Sequence, residues 1–181
     1  MLESVDAGMP IQRLNHAVLY VRDLDRTKEF YEGALGFRVV TEMAGKAAFF
    51  QAPGSTNDHD LGTFAIGPSA GPSEAGRRTV GLYHLAWEVD TLAELARLRD
   101  VLAERGALVG ASDHGTTKSL YAQDPDGNEF EVAWVVPARL LDTAALEARD
   151  RIGHLDLPKE LARYGPDTEG GVGISHPPVT A

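Results

Sequence analysis

The chain has 181 residues, with 17 Lys and Arg against 27 Asp and Glu, six histidines and no cysteine. A hydrophobic share of 43% and a charged share of 24% suit one globular domain, or two small halves packed as one, rather than a disordered or fibrous chain. The formal charge of -10 repels phosphate backbones, so nucleic acid and anionic membrane are excluded as main partners, and the missing cysteine excludes disulfides, thiolate nucleophiles and Cys-based metal centres.

Any bound metal must therefore be held by His, Asp or Glu. No stretch approaches the roughly 18 consecutive apolar residues of a membrane span. Met1 to Pro10 carries Glu3 and Asp6 and lacks a basic region followed by an apolar one, so no signal peptide is expected and the cytoplasm is the expected compartment.

Along the chain, Leu14–Val21 reads as a strand and Asp25–Leu35 as an amphipathic helix with Phe30, Tyr31 and Ala34 on its inner face, stopped by Gly36. Strands are predicted at Phe37–Thr41, Ala47–Gln51 and Leu61–Ile66. A Gly-, Pro- and Ser-rich stretch, residues 67–79, reads as a linker. A second series then follows: a strand over Leu82–Val89, a helix capped by Thr91 and running to Arg105 with Leu95, Leu98 and Leu102 on one stripe, and strands at Ala107–Ala111, Ser119–Gln123 and Glu129–Val136. Asp124-Pro125-Asp126-Gly127 is a strong turn signal between the last two. Residues 137–181 are expected to form a partly helical C-terminal extension, with a helix over Thr143–Arg151 and a mobile end from Gly165.

The two series are an internal repeat. Leu14-Asn15-His16-Ala17-Val18 overlays Leu82-Tyr83-His84-Leu85-Ala86 at an offset of 68 residues. The expected fold is α+β: two tandem βαβββ modules, about 11–67 and 80–136, forming one pseudo-twofold domain with a metal site in the shared sheet cleft, joined by residues 68–79 and followed by the extension. His16 and His84 occupy equivalent places on equivalent strands, and Glu131 lies on the final strand between Phe130 and Val132, where a carboxylate needs a partner or a metal.

Taken singly, each histidine also fits a satisfied core or loop residue, and Glu131 an exposed strand residue; the repeat relation favours the ligand reading. Two imidazoles and one carboxylate form the facial triad that suits non-haem Fe(II) and leaves coordination positions open. Phe50, Tyr83 and Trp87 are pocket-lining candidates but more readily core residues.

The paired modules, His16 ahead of Arg22-Asp23-Leu24, His84, and Asp124-Pro125-Asp126-Gly127-Asn128 leading to Glu131 resemble the vicinal oxygen chelate superfamily over residues 11–136. That superfamily includes glyoxalase I, fosfomycin-resistance and bleomycin-binding proteins, and extradiol ring-cleavage dioxygenases. The run from His114 through Tyr121 to Glu131 is most similar to the extradiol branch, and His59-Asp60-Leu61 resembles its position for a second-sphere acid–base histidine.

The resemblance implies that His16, His84 and Glu131 bind Fe(II), with Mn(II) or another divalent metal as alternatives. It also implies that His59 is a catalytic acid–base group, and that His114 and Tyr121 are catalytic and bind the substrate oxygens. The implied reaction is meta-cleavage of a catechol-type aromatic diol by O₂. Glyoxalase I and its close relatives take a fourth ligand from the last strand of module one, where Leu61-Gly62-Thr63-Phe64-Ala65-Ile66 carries no carboxylate, unless Asp60 or His59 fills the place. Two alternatives stand beside the dioxygenase: another metal-dependent member (lyase, isomerase, epimerase or thiol transferase), and a metal-free protein that sequesters a small molecule. A homo-oligomer, most simply a dimer, is the expected assembly. Thr143–Arg151, His154 and Tyr164 are expected either to cover the mouth of the site or to brace module two.

Overall fold

A computed structural model describes residues 11, 13–75 and 78–171. The expectations for residues 1–10 and for the end of the extension after residue 171, including His176, lie outside those residues. The chain divides into two compact units, residues 1–69 and 70–181, so the break falls inside the expected linker and the extension belongs to the second unit.

The first unit runs β1 (Ala17–Val21), α1 (Leu24–Leu35), β2 (Arg38–Met43), β3 (Ala47–Gln51) and β4 (Leu61–Ala65). Asp23 starts α1 by accepting the Arg26 N–H at 3.0 Å, and Gly36 ends it at φ 71°, a left-handed conformation that glycine adopts without a Cβ penalty. The helix carries the chain across the sheet, so β2 forms the far edge and a meander returns β4 to pair parallel with β1, in the order β1-β4-β3-β2. Phe30, Tyr31 and Ala34 pack inward as the sequence pattern requires, with Tyr31 set against Phe37 and Phe50 at ring distances of 5.8 and 5.7 Å. Phe50 is thus core rather than pocket.

The second unit repeats the plan with β5 (Leu85–Glu88), α2 (Leu92–Glu104), β6 (Leu108–Asp113), β7 (Thr117–Gln123) and β8 (Glu129–Val135), in the order β5-β8-β7-β6. Thr91 caps α2 and Leu92, Leu95, Leu98 and Leu102 bury its inner stripe. Both modules carry a register irregularity in the second strand, between Val39 and Thr41 and between Leu108 and Gly110. The Asp124 turn forms as read: Gly127 N–H bonds the Asp124 carbonyl, and the Asp124 carboxylate accepts from Asp126 N–H, Asn128 N–H and Asn128 Nδ2.

The first strand of each module is shorter than the apolar pattern suggested. Pairing begins at Ala17 opposite Leu61 and at Leu85 opposite Phe130, so His16 and His84 each stand one residue before their strand.

In the extension, α3 covers only Thr143–Glu147. Tight four-residue turns follow it and lead to Gly153, which pairs with Asp113 on β6. A further helix, α4 (Leu157–Tyr164), is capped by Asp156 with Pro158 in its first turn. The chain after α4 is stitched to the same unit: Ala93 N–H bonds Pro166 O, Gly170 N–H bonds Asp90 O, and Trp134 Nε1 donates to Thr168 O at 3.1 Å. Tyr164 packs on Trp134 at 5.3 Å. Trp134 lies on the α2 face of the sheet and Glu131 on the other, so Tyr164 braces the module. Among the described residues, no helix is long and apolar enough to cross a membrane.

Candidate metal centre

The second module gathers four of the residues singled out from sequence. Cross-strand partners share a face, and β8 pairs Glu131 with Ala86 on one side and Tyr121 on the other. From the end of the loop before β5, His84 places Nε2 3.2 Å from Glu131 Oε2, and its ring meets Tyr121 at 5.7 Å. Tyr121 Oη lies 3.0 Å from His114 Nε2. Ser112, two residues before His114 on the same face of β6, completes the chain with Oγ 2.8 Å from His114 Nε2 and 3.4 Å from Tyr121 Oη. Sequence reading missed Ser112. Its only signal was strand parity with His114, which a serine shares with any residue.

The first module brings together the other two. The His16 and His59 rings lie 4.5 Å apart, and His59 also meets the edge of Phe49 at 5.1 Å. His16 Nδ1 bonds Asn15 Oδ1 at 2.7 Å, and His59 Nδ1 pairs with the exposed Asp58 at 2.9 Å. Asp60 is committed to its loop, accepting from Ala52 N–H, Ser55 Oγ and Asn57 Nδ2. The register answers the question of a carboxylate in module one. Val18, the repeat counterpart of Ala86, pairs with Gly62, which makes Gly62 the counterpart of Glu131. A side chain there would meet the Phe49 ring at 3.3 Å and Val18 Cγ2 at 3.4 Å.

Within either unit, no three His, Asp or Glu side chains gather into a metal-holding group among the described residues. The His84–Glu131 pair nevertheless suits two neighbouring ligands of one divalent ion. Donors about 2.1 Å from a metal and roughly at right angles stand about 3 Å apart. His84 Nδ1 is buried without a hydrogen-bond partner among the described residues, and the ring is set by the Glu131 carboxylate beside Nε2 and by the Tyr83 and Tyr121 rings against it. Tyr83, expected near the pocket, stacks on His84 at 4.8 Å with its outer part exposed, and the Glu129 carboxylate beside it raises its phenol pKa. Trp87 is half-buried on the opposite face of β5, toward α2.

The family model for the glyoxalase/bleomycin resistance protein/dioxygenase superfamily matches residues 13–132. The chain belongs to that superfamily, the vicinal oxygen chelate proteins. It is 33% identical over 119 residues to a catechol-2,3-dioxygenase of Bacillus subtilis, a match covering 66% of this chain and 40% of the relative. It is 36% identical over 124 residues to biphenyl-2,3-diol 1,2-dioxygenase 3 of Rhodococcus globerulus, covering 66% of this chain and 62% of the relative. The matches therefore span less than two thirds of the length of either relative. A lactoylglutathione lyase from Agrobacterium tumefaciens superposes with a TM-score of 0.52 at 23% identity, covering 68% of this chain and 94% of that one, a likeness of fold.

Proposed function

We propose that the protein is a ring-opening dioxygenase of the extradiol type, acting on a catechol-type aromatic diol with Fe(II) held by His84, Glu131 and His16. The observation that carries this reading is the join, on one sheet face, of a metal-donor pair to a hydroxyl-binding chain: His84–Glu131, then Tyr121, His114 and Ser112. The similarity to two diol dioxygenases supports the same assignment. Gly62, in the place of a first-module carboxylate, weighs against a four-donor lyase site.

Bound by these residues, Fe(II) would lower the pKa of a catechol hydroxyl and hold substrate and O₂ side by side. His84 Nε2 and Glu131 Oε2 stand at the separation that two ligands of one ion would have, which lessens the reorganisation that binding would require. Tyr121 and His114 offer hydrogen-bonding atoms 3.0 Å apart with which to orient the substrate oxygens. His59, seated against Phe49 and His16, is the group assigned to move a proton during ring opening. The reading places the protein in the cytoplasm as a homo-oligomer.

The test is anaerobic loading with Fe(II) followed by a panel of catechols and O₂, reading oxygen uptake and the yellow ring-fission product. Turnover with one iron per chain is expected. Stoichiometric iron without turnover of any catechol refutes the assignment. His84→Ala and Glu131→Gln should each weaken metal binding at least tenfold while the circular dichroism spectrum is kept.

A further inference from the structure

Among the described residues, the C-terminal extension meets the candidate site at His114. His114 Nδ1 lies 3.2 Å from the backbone carbonyl oxygen of Arg151. A carbonyl oxygen only accepts, so this contact is a hydrogen bond only if Nδ1 carries the proton. In the neutral ring Nε2 is then bare, and Nε2 is the atom that faces the Ser112 and Tyr121 hydroxyls. We propose that the extension selects the Nδ1–H tautomer of His114, and that Ser112 is a positioning residue which occupies the bare Nε2 and leaves the Tyr121 hydroxyl proton for a substrate oxygen. The part that concerns substrate rests on the dioxygenase reading; the tautomer does not.

The geometry favours Ser112 as donor to Nε2. An imidazole nitrogen has one in-plane lone pair and accepts one full hydrogen bond. Ser112 Oγ stands at 2.8 Å and Tyr121 Oη at 3.0 Å, and Ser112 is buried, with no solvent to compete for its proton. Tyr121 then has Ser112 Oγ, at a long 3.4 Å, as its acceptor, a contact that a shorter bond to an ionised oxygen such as that of a catecholate would displace.

The Arg151 carbonyl is held in place by contacts on both sides of His114. Gly153 and Asp113 exchange two backbone hydrogen bonds, at 2.8 and 2.9 Å. Asp113 Oδ1 accepts the Gly115 N–H at 2.7 Å and pairs with Lys118 Nζ at 2.5 Å. Lys118 in turn reaches Glu160 of α4 at 3.2 Å, and both of those side chains are almost fully buried. The residues before and after His114 are therefore tied to the extension.

The test is nitrogen NMR of ¹⁵N-histidine-labelled full-length protein, metal-free and Zn(II)-loaded, in mildly alkaline buffer, with His114 assigned by its loss in His114→Gln. A single Nδ1–H tautomer is expected. An Nε2–H tautomer, a doubly protonated ring or an exchanging mixture overturns the proposal. Gly153→Pro removes the donor to Asp113, and Lys118→Met, which cuts the tie between Asp113 and α4, is the second variant; loss of the single tautomer is expected in whichever of the two keeps the native circular dichroism. An unchanged tautomer in a folded Gly153→Pro overturns it.

In Fe(II)-loaded protein, Ser112→Ala should lower kcat about fivefold to tenfold with little change in KM, a loss equal to one hydrogen bond, and Ser112→Thr should restore it. An unchanged kcat in Ser112→Ala overturns the role of Ser112. If the wild type turns over no catechol, the dioxygenase reading fails, while the tautomer measurement still decides the role of the extension.

Discussion

Replacing Lys118 by methionine should destabilise the protein by about 3 kcal/mol, the lower end of what breaking a buried ion pair costs. Lys118 is 1% exposed and its ammonium has three acceptors: Asp113 Oδ1 at 2.5 Å, Glu160 Oε2 at 3.2 Å and the Gly115 carbonyl at 3.3 Å. Without it, Glu160 keeps, among the described residues, the cation of Arg163 at 3.9 Å for a carboxylate that is 4% exposed. Asp113 suffers less, because it is a quarter exposed and retains the Gly115 N–H. Methionine recovers part of the aliphatic packing, which is why the estimate stays low in the range.

Glu160→Gln leaves Lys118 paired with Asp113 and should cost about 1.5 kcal/mol, the worth of one hydrogen bond to a charged group. The double variant removes both buried charges, so its cost should fall short of the sum by about 1–2 kcal/mol. Urea unfolding followed by tryptophan fluorescence measures all four states, since Trp134 is buried against Tyr164 beside α4. A coupling energy below about 0.3 kcal/mol would show that α4 is not held by this pair. A coupling that vanishes in molar salt would show that the pair is solvated and the burial argument wrong.

Other consequences are open to direct measurement. A Cβ at Gly115, whose φ is 74°, would run into the Ala145 carbonyl oxygen, so Gly115→Ala should cost more than about 3 kcal/mol and free the α3 segment to limited proteolysis. Trp134→Phe removes the donor to Thr168 O and should cost about 1 kcal/mol, with faster hydrogen exchange in residues 165–171 than elsewhere.

Burial raises the Asp124 carboxyl pKa against the opposing pull of its hydrogen bonds to Asn128 and Asp126. The folded state then binds that proton more tightly than the unfolded state does. The stabilisation from this proton is present below the ordinary carboxylate pKa and is lost as pH rises through the raised one. The stability of wild type relative to Asp124→Asn should therefore increase as pH falls through that window; a difference flat with pH would contradict the shift.

Much of the fold was legible because each local signal agreed with its surroundings. Gly36 and Thr91 are caps that act within one turn of their own helices, and Leu95, Leu98 and Leu102 follow a period that packing only confirms. Helix α4 was not legible as a packed element, although Asp156 and Pro158 mark its start. Its buried face includes Glu160, which in sequence reads as a solvent-facing charge; only Lys118, on a strand 42 positions earlier, makes that burial tolerable.

The site shows the same division. Glu131 stands out in sequence because a carboxylate among Phe130, Val132 and Trp134 conflicts with its surroundings, and His84 because it repeats His16. Ser112 conflicts with nothing, and its role depends on a backbone carbonyl that no sequence pattern reports.

The repeat is symmetrical in fold and unequal in chemistry, and the register shows where the inequality lies. Where the second module pairs Ala86 with Glu131 and Glu131 with Tyr121, the first pairs Val18 with Gly62 and Gly62 with Phe49. A carboxylate and a phenol are thus replaced by a hydrogen and a benzene ring, and the Phe49 ring lies over the space that a Gly62 side chain would need. The first module sets two imidazoles together, His16 and His59. The second keeps the anion, the phenol and the serine, and it alone carries the extension that reaches His114. The anion and the proton-bearing groups of the candidate site therefore come from the second module.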